Sequence, residues 1–132
     1  MPSFDFSIAT SAEDFVDITD KIRSAVALSG VQDGLCLVYC PHTTAGITIN
    51  ENADPDVVRD LLFGLSRAFP DRAEYRHAEG NSAAHLKAGA MGASQTLIVE
   101  HGNLVLGRWQ AVYLCEFDGP RQRRVFVKVV AG

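Results

Sequence analysis

The segment from Asp54 to Pro70 sets the frame for the whole chain. Asp54-Pro55 is a helix start with a mechanism: an aspartate accepts from the first-turn N–H groups, and a proline at the first helical position has its φ preset. Val58, Leu61, Leu62, Leu65 and Phe69 then recur at helical spacing until Pro70 ends the pattern, so this face is expected to be core. On either side the periodicity shortens to that of strands. Phe4, Phe6 and Ile8 alternate with polar neighbours, residues 15–18 read as a second short strand, and Gly34 to Tyr39 is nearly continuously apolar. After Pro41 the chain re-enters extended structure through Ile49. A helix capped by Thr19 or Asp20 and ended by Gly30, and a small-residue helix capped by Asn81 or Ser82 and running to Met91, complete the helical content. Residues 95–99, 104–106, 110–117 and 124–130 make the C-terminal half strand-rich, with turns at Gly102-Asn103 and Asp118-Gly119-Pro120. The expectation is one α+β domain over residues 1–132.

A chain of 132 residues buries enough surface to fold without disulfides or metal, so any metal serves function. The net charge of −4 argues against a nucleic-acid module, which is normally basic. Cys36, Cys40 and Cys115 lack C-x-x-C spacing and sit in apolar runs, which reads as buried free thiols in a reducing cytoplasm. The start MPSFDFSIAT lacks a basic segment followed by an apolar one, and no run reaches the about 18 apolar residues of a membrane span.

Chemistry-bearing residues are dense in CPHTTAGITINENADP, residues 40–55. If residues 42–50 are a strand, His42, Thr44, Thr48 and Asn50 share one face, either an exposed strand face or the wall of a concave site with Asn50, Glu51 and Asn52 turned inward. A second group falls in HAEGNSAAH, where His77, Glu79, Asn81 and His85 lie within nine residues. The imidazoles of His77 and His85 can converge, and with His42 could form a three-histidine site with open positions; as separate residues they would be ordinary surface or hydrogen-bonded histidines. Trp109 could stack on an aromatic ring, with Gln110 and Glu116 bonding a heterocycle, or be core. Arg121, Arg123 and Arg124 could clamp phosphate or guard a sheet edge.

Taken together, HTTAGITINENADP, EGNSAAHLK, LGRWQAVYLCEFDGPR and RRVFVKVV resemble the YjbQ family, small proteins described as secondary thiamine-phosphate synthase enzymes. The resemblance spans nearly the whole chain. It implies a compact sandwich of mixed β-sheets with two or three flanking helices, commonly a homotrimer, and a polar pocket with histidines and often a metal ion. The family's histidines match His42, His77 and His85, which would be the metal ligands. Its N-E-N and following aspartate match Asn50, Glu51, Asn52 and Asp54, and its W-Q and later glutamate match Trp109, Gln110 and Glu116.

The implied reaction joins hydroxymethylpyrimidine diphosphate to thiazole phosphate and releases diphosphate. The departing charge needs a divalent cation or guanidiniums, and the heterocycle needs stacking and edge hydrogen bonds. Arg121 or Arg124, with Mg²⁺ held by Glu51 or Asp54, would do the first; Trp109 and Gln110, with Thr44, Asn50, Asn52 and Asn81, would hold the substrate; Glu51, Asp54, Glu79 and Glu116 are the candidate catalytic carboxylates. Three histidines suit a Zn-like ion better than Mg²⁺. A metal-dependent hydrolase or lyase of a phosphorylated or heterocyclic metabolite, with Glu51 or Glu79 as general base, is the alternative, and a metabolite-binding protein whose strand 112–117 packs between subunits is a third.

Overall fold

The computed structural model describes residues 3–132; Met1 and Pro2, where the reading of the N-terminus begins, lie outside them. Strand β1 (Ser3–Ala9) is followed by β2 (Asp14–Asp17), helix α1 (Thr19–Ser29), β3 (Gly34–Tyr39), β4 (Ala45–Glu51), α2 (Pro55–Ala68), α3 (Ser82–Met91), β5 (Ser94–Glu100), the two-residue β6 (Asn103–Leu104), β7 (Gln110–Glu116) and β8 (Gln122–Ala131). They form a five-stranded sheet in the order β1-β8-β3-β5-β6 and a three-stranded sheet β2-β7-β4. Every pairing among them is antiparallel. The chain is an α+β sandwich with three helices.

Strand alternation places the core between the sheets. Val125, Val127 and Val129 of β8 and Cys36 and Val38 of β3 point inward against Ile47, Val112 and Leu114 of the smaller sheet, while α1 closes one side with Ile22, Ala25 and Val26. Each large apolar side chain buried here contributes about 1.5–3 kcal/mol. β7 is covered on both faces: Val112 and Leu114 face this core, and Ala111, Tyr113 and Cys115 face a second cluster with Phe15, Phe117, Ala84 and Ala88, beneath α2 and α3. Residues 112–117 are therefore interior to one chain rather than packed between subunits. All three cysteines are free and buried; burial pushes the Cys36 thiol up to about 11 and raises Cys40 and Cys115, so they behave as small apolar residues.

α2 starts as expected, with Asp54 accepting from the Asp56 N–H at 2.9 Å and Pro55 at the first position. Val58, Leu61, Leu62 and Leu65 lean on the second cluster, but no residue of this helix is fully buried, because it lies along the margin of the sandwich. The expected cap of α1 is replaced: Ile18 is the N-cap, while Thr19 Oγ1 donates to Asp17 and accepts from the Val112 N–H at 2.9 Å.

The extended segment after Pro41 becomes a strand only at Ala45, so His42 and Thr44 do not share a strand face with Thr48 and Asn50. The start of β4 is instead pinned to the end of α3. Ile47 N–H donates to the Gly92 carbonyl at 3.0 Å, and a Cβ on Gly46 would stand 2.6 Å from that same oxygen. This close approach fixes α3, and with it His85, beside residues 42–44.

Candidate functional site

A cleft of about 360 Å³ opens where the approach to β4, the start of β8, the N-terminus of α3 and the preceding loop meet. His42, Thr43 and Thr44 come from the first, Arg121 and Arg123 from the second, Asn81 and His85 from the third, and His77 and Glu79 from the loop. Residues up to 81 positions apart in sequence, from His42 to Arg123, are thus gathered by two strand ends, one helix end and the loop before it.

The floor is a buried ion pair. Glu116 is fully buried at the end of β7; its Oε1 accepts from Arg123 Nε at 2.8 Å and from Thr10 Oγ1 at 2.5 Å, and its Oε2 accepts from Arg123 Nη2 at 2.5 Å and the Asp118 N–H at 3.0 Å. Arg123 Nη2 also donates to Thr44 Oγ1 at 2.8 Å. Burial alone would raise the Glu116 carboxyl, but the hydrogen bonds from Arg123, Thr10 and Asp118 and the guanidinium charge outweigh it and hold the group below its ordinary range. With both oxygens saturated, Glu116 braces the corner where β1, β4, β7 and β8 meet; it is not a free base. Thr10 was not among the expected site residues, and Arg123, expected as a phosphate clamp or a guard of the sheet edge, is instead the buried partner of Glu116. The inward alternation of Val125, Val127 and Val129 would have placed Arg123 inside, whereas Thr10 carries no local signal.

The walls hold the histidines. His42 Nε2 accepts the main-chain N–H of Arg124 at 2.9 Å. Burial, and then the charge of Arg123, lower this imidazole from its ordinary value of 6.5, and protonation would set an N–H against the Arg124 N–H. The rings of His77 and His85 meet edge to face, with centroids 5.2 Å apart and planes at 89°, and His77 Nε2 lies 4.0 Å from Glu79 Oε1. Asn81 Nδ2 donates to Asp118 at 2.8 Å, and Arg121 donates to the Asp118 carbonyl through Nε at 2.7 Å and to its carboxylate through Nη2 at 3.1 Å. Arg121 Nη1 takes no part in either bond. Only the backbone of Arg124 reaches His42. Its guanidinium pairs with Asp5 at 2.9 Å and lies over Phe126 on the outer face of the larger sheet, so the expected phosphate clamp reduces to Arg121.

The other expected residues are at the far end of the smaller sheet. Because Ala45 pairs with Glu116 and Glu51 with Gln110, Asn50, Glu51, Asn52, Asp54, Trp109 and Gln110 lie roughly 20 Å from the cleft along the strands. Four of these side chains, those of Asn50, Asn52, Asp54 and Gln110, each have a local partner. Asn50 accepts from the Glu51 N–H, Asn52 donates to Asp17, Gln110 Oε1 accepts from the Gly107 N–H at 2.7 Å, and Tyr113 donates to the Glu51 carbonyl. Asp17 carries the same signature: burial alone would raise it, but bonds from Thr19 and Asn52 outweigh this and lower it. Trp109 is 54% exposed with Arg108 over its ring. Within one chain, these residues and the histidines do not form a single site.

A three-histidine metal centre does not fit the cleft as it stands. The lone pair of His42 Nε2 is taken by a backbone donor, and among the described residues no three His, Cys, Asp or Glu side chains converge as metal ligands do. Glu51 and Asp54, the expected Mg²⁺ ligands, are at the other end of β4.

The fold and the cleft can be set beside known proteins. Residues 4–132 match the family model described as "UPF0047 protein YjbQ-like". The chain belongs to the YjbQ-like UPF0047 family. YugU of Bacillus subtilis, a UPF0047 protein, is 51% identical over 122 residues, covering 92% of each chain. MJ1081 of Methanocaldococcus jannaschii is 49% identical over 96% of this chain and 93% of its own. Among solved YjbQ-like structures, a Clostridium acetobutylicum protein of the family has a TM-score of 0.94 at 57% identity, covering 96% of this chain and 99% of that one. The Sulfolobus solfataricus protein SSO2532 reaches a TM-score of 0.94 at 33% identity, covering 98% and 96%. The YjbQ-like sandwich is thus kept as sequences diverge by two thirds. No helix among the described residues is long and apolar enough to cross a membrane.

Proposed function

We propose that the cleft is the active site of a thiamine-phosphate synthase-type transferase, with that synthesis as a secondary activity on a site built for small phosphorylated heterocycles. The observation that carries the reading is the pairing of a guanidinium with a free Nη1, on Arg121, with three imidazoles in one cleft of about 360 Å³. That volume suits a small metabolite. In the reaction the thiazole nitrogen bonds the pyrimidine methylene carbon while the carbon–oxygen bond to diphosphate breaks, its electron pair leaving with diphosphate. Arg121 and the imidazole N–H groups face the oxygens on which that charge collects, and Asn81 and Thr44 line the same space. Purified protein given both substrates and Mg²⁺ should release diphosphate, and His85→Ala should lower that rate at least about 100-fold, as losing a proton-donating or charge-binding group does. A rate unchanged in His42→Ala and His85→Ala would remove the cleft from the reaction.

A second reading, hydrolysis or lysis of a phosphorylated or heterocyclic metabolite, is favoured by the contact of His77 with His85 and the nearness of Glu79, a pair of bases and an acid able to handle water. Product analysis separates the two: phosphate or an opened ring in place of thiamine phosphate selects the second. Binding without turnover of either kind selects a metabolite-binding protein.

The reading carries a homotrimer in the cytoplasm. Support for assembly comes from the outer face of the larger sheet, where Leu35, Leu37, Tyr39 and Ile98 are 51, 39, 43 and 53% exposed and lie beside Val130 and Phe126. Three reduced, buried thiols support the compartment. Light scattering on a size-exclusion column should give three times the 14.3 kDa chain mass; a monomer at micromolar concentration would sink the assembly.

A further inference from the structure

We infer that His42 serves the cleft as a fixed hydrogen-bond donor to a phosphate-type anion, and not as a metal ligand. The geometry begins with a group that can only donate. The Arg124 main-chain N–H points at His42 Nε2 from 2.9 Å, so Nε2 must present its lone pair. A neutral imidazole carries one proton, and here it sits on Nδ1. That nitrogen has no partner among the described residues, and it is not buried: the single buried, unpartnered side-chain nitrogen or oxygen among them is Asn81 Oδ1. The result is an accessible N–H donor whose ring is locked by β8, on a residue that lines the cleft together with Arg121.

The chemistry of the partner follows from what stands beside the donor. Glu116 and Thr44 hold Arg123 through Nε and Nη2, so it brings a fixed positive charge to the cleft, and its Nη1 takes part in none of these bonds. Arg121 keeps Nη1 free while Asp118 holds its other two nitrogens, which fixes the plane of the guanidinium. A guanidinium N–H and an imidazole N–H in one cleft suit an oxyanion with several acceptor oxygens. A metal ion meets the opposite arrangement at His42, a proton on the exposed nitrogen and no lone pair. The inference deepens the proposed function and rests on the cleft being a metabolite site, but it assigns His42 a tautomer that can be read without any turnover.

The test is the nitrogen spectrum of the imidazoles in the uniformly ¹⁵N-labelled full chain at neutral pH, with His42 assigned by its loss in His42→Asn. The expected result is the Nδ1–H tautomer at His42, a shift of Nδ1–H on adding inorganic phosphate but not chloride at equal ionic strength, and no change at either His42 nitrogen on adding Zn²⁺. Acetate is the carboxylate arm and should move the signal less than phosphate. In binding titrations with phosphate, His42→Asn, whose amide N–H stands near the place of Nδ1–H, should stay within about threefold of the natural protein, while His42→Ala should weaken binding roughly ten- to hundredfold, as losing a hydrogen bond to a charged group does. An Nε2–H tautomer, a Zn²⁺-induced shift at His42, a signal unmoved by phosphate, or one moved more by acetate each overturns the assignment. Absent synthase turnover with the tautomer and phosphate shift intact would defeat the reaction and leave this role standing.

Discussion

The two ends of the β4–β7 pair are equally polar in sequence and differ in what their polar atoms have left to do. At the far end, Asn50, Asn52, Gln110 and Asp17 are absorbed in turns and strand ends. At the cleft end Glu116 is held by four bonds, but above it His42 Nδ1 and Arg121 Nη1 have no partner among the described residues, and His77 meets His85 edge to face with Glu79 beside it. Polar density alone does not mark a site; polar density on top of an already satisfied support does.

The sharpest way to break this contrast is to remove the support. Arg123→Met leaves the Glu116 carboxylate buried without its partner and should cost about 3–5 kcal/mol in urea unfolding. A loss below about 1 kcal/mol would mean that the pair does not hold the corner. Next, above that support, His85→Ala should leave unfolding nearly unchanged while diphosphate release falls at least about 100-fold, and Gln110→Ala at the other end should keep turnover within about threefold. Equal losses in the two variants would erase the distinction between the ends. Asp54→Ala should cost about 1 kcal/mol as a lost helix cap with no effect on turnover.

The smallest effect is on pH dependence. His42 is lowered in the fold relative to its ordinary 6.5, so the unfolded chain binds its proton first; its contribution is complete above 6.5 and is lost as pH falls through the lowered value. Glu116 acts the same way at lower pH, its contribution being present above its ordinary 4.5 and lost as pH falls through its depressed value. Unfolding free energy followed downward from neutral pH should therefore drop in two windows, and His42→Asn should remove only the upper one.

Much of the architecture was legible because local rules and packing agree. Asp54-Pro55 and the spacing of Val58, Leu61, Leu62 and Leu65 located α2, and the alternation of β8 located a core strand. β7 was legible as a strand but not in its placement: with both faces covered, its continuous apolar run looked like a subunit contact. Of the site, the three histidines were expected together as metal ligands and Arg121 separately as a phosphate clamp, and the cleft gathers all four. The separation of Glu51, Asp54, Trp109 and Gln110 from them was not, since it depends on β4 starting at Ala45 and on the antiparallel register that sets Glu51 against Gln110. The duty of Glu116 was hidden for a similar reason, its partners Thr10 and Arg123 being 106 and 7 residues away.

The central claim is that ligand binds at the histidine end of the smaller sheet and not at its tryptophan end. Backbone amide spectra recorded as inorganic phosphate or hydroxymethylpyrimidine diphosphate is added test it most directly. The account predicts shifts confined to residues 42–44, 77–85 and 121–124, with 50–54 and 108–110 unmoved. Shifts centred on Trp109 and Asn50, with His42 and His85 silent, would contradict it.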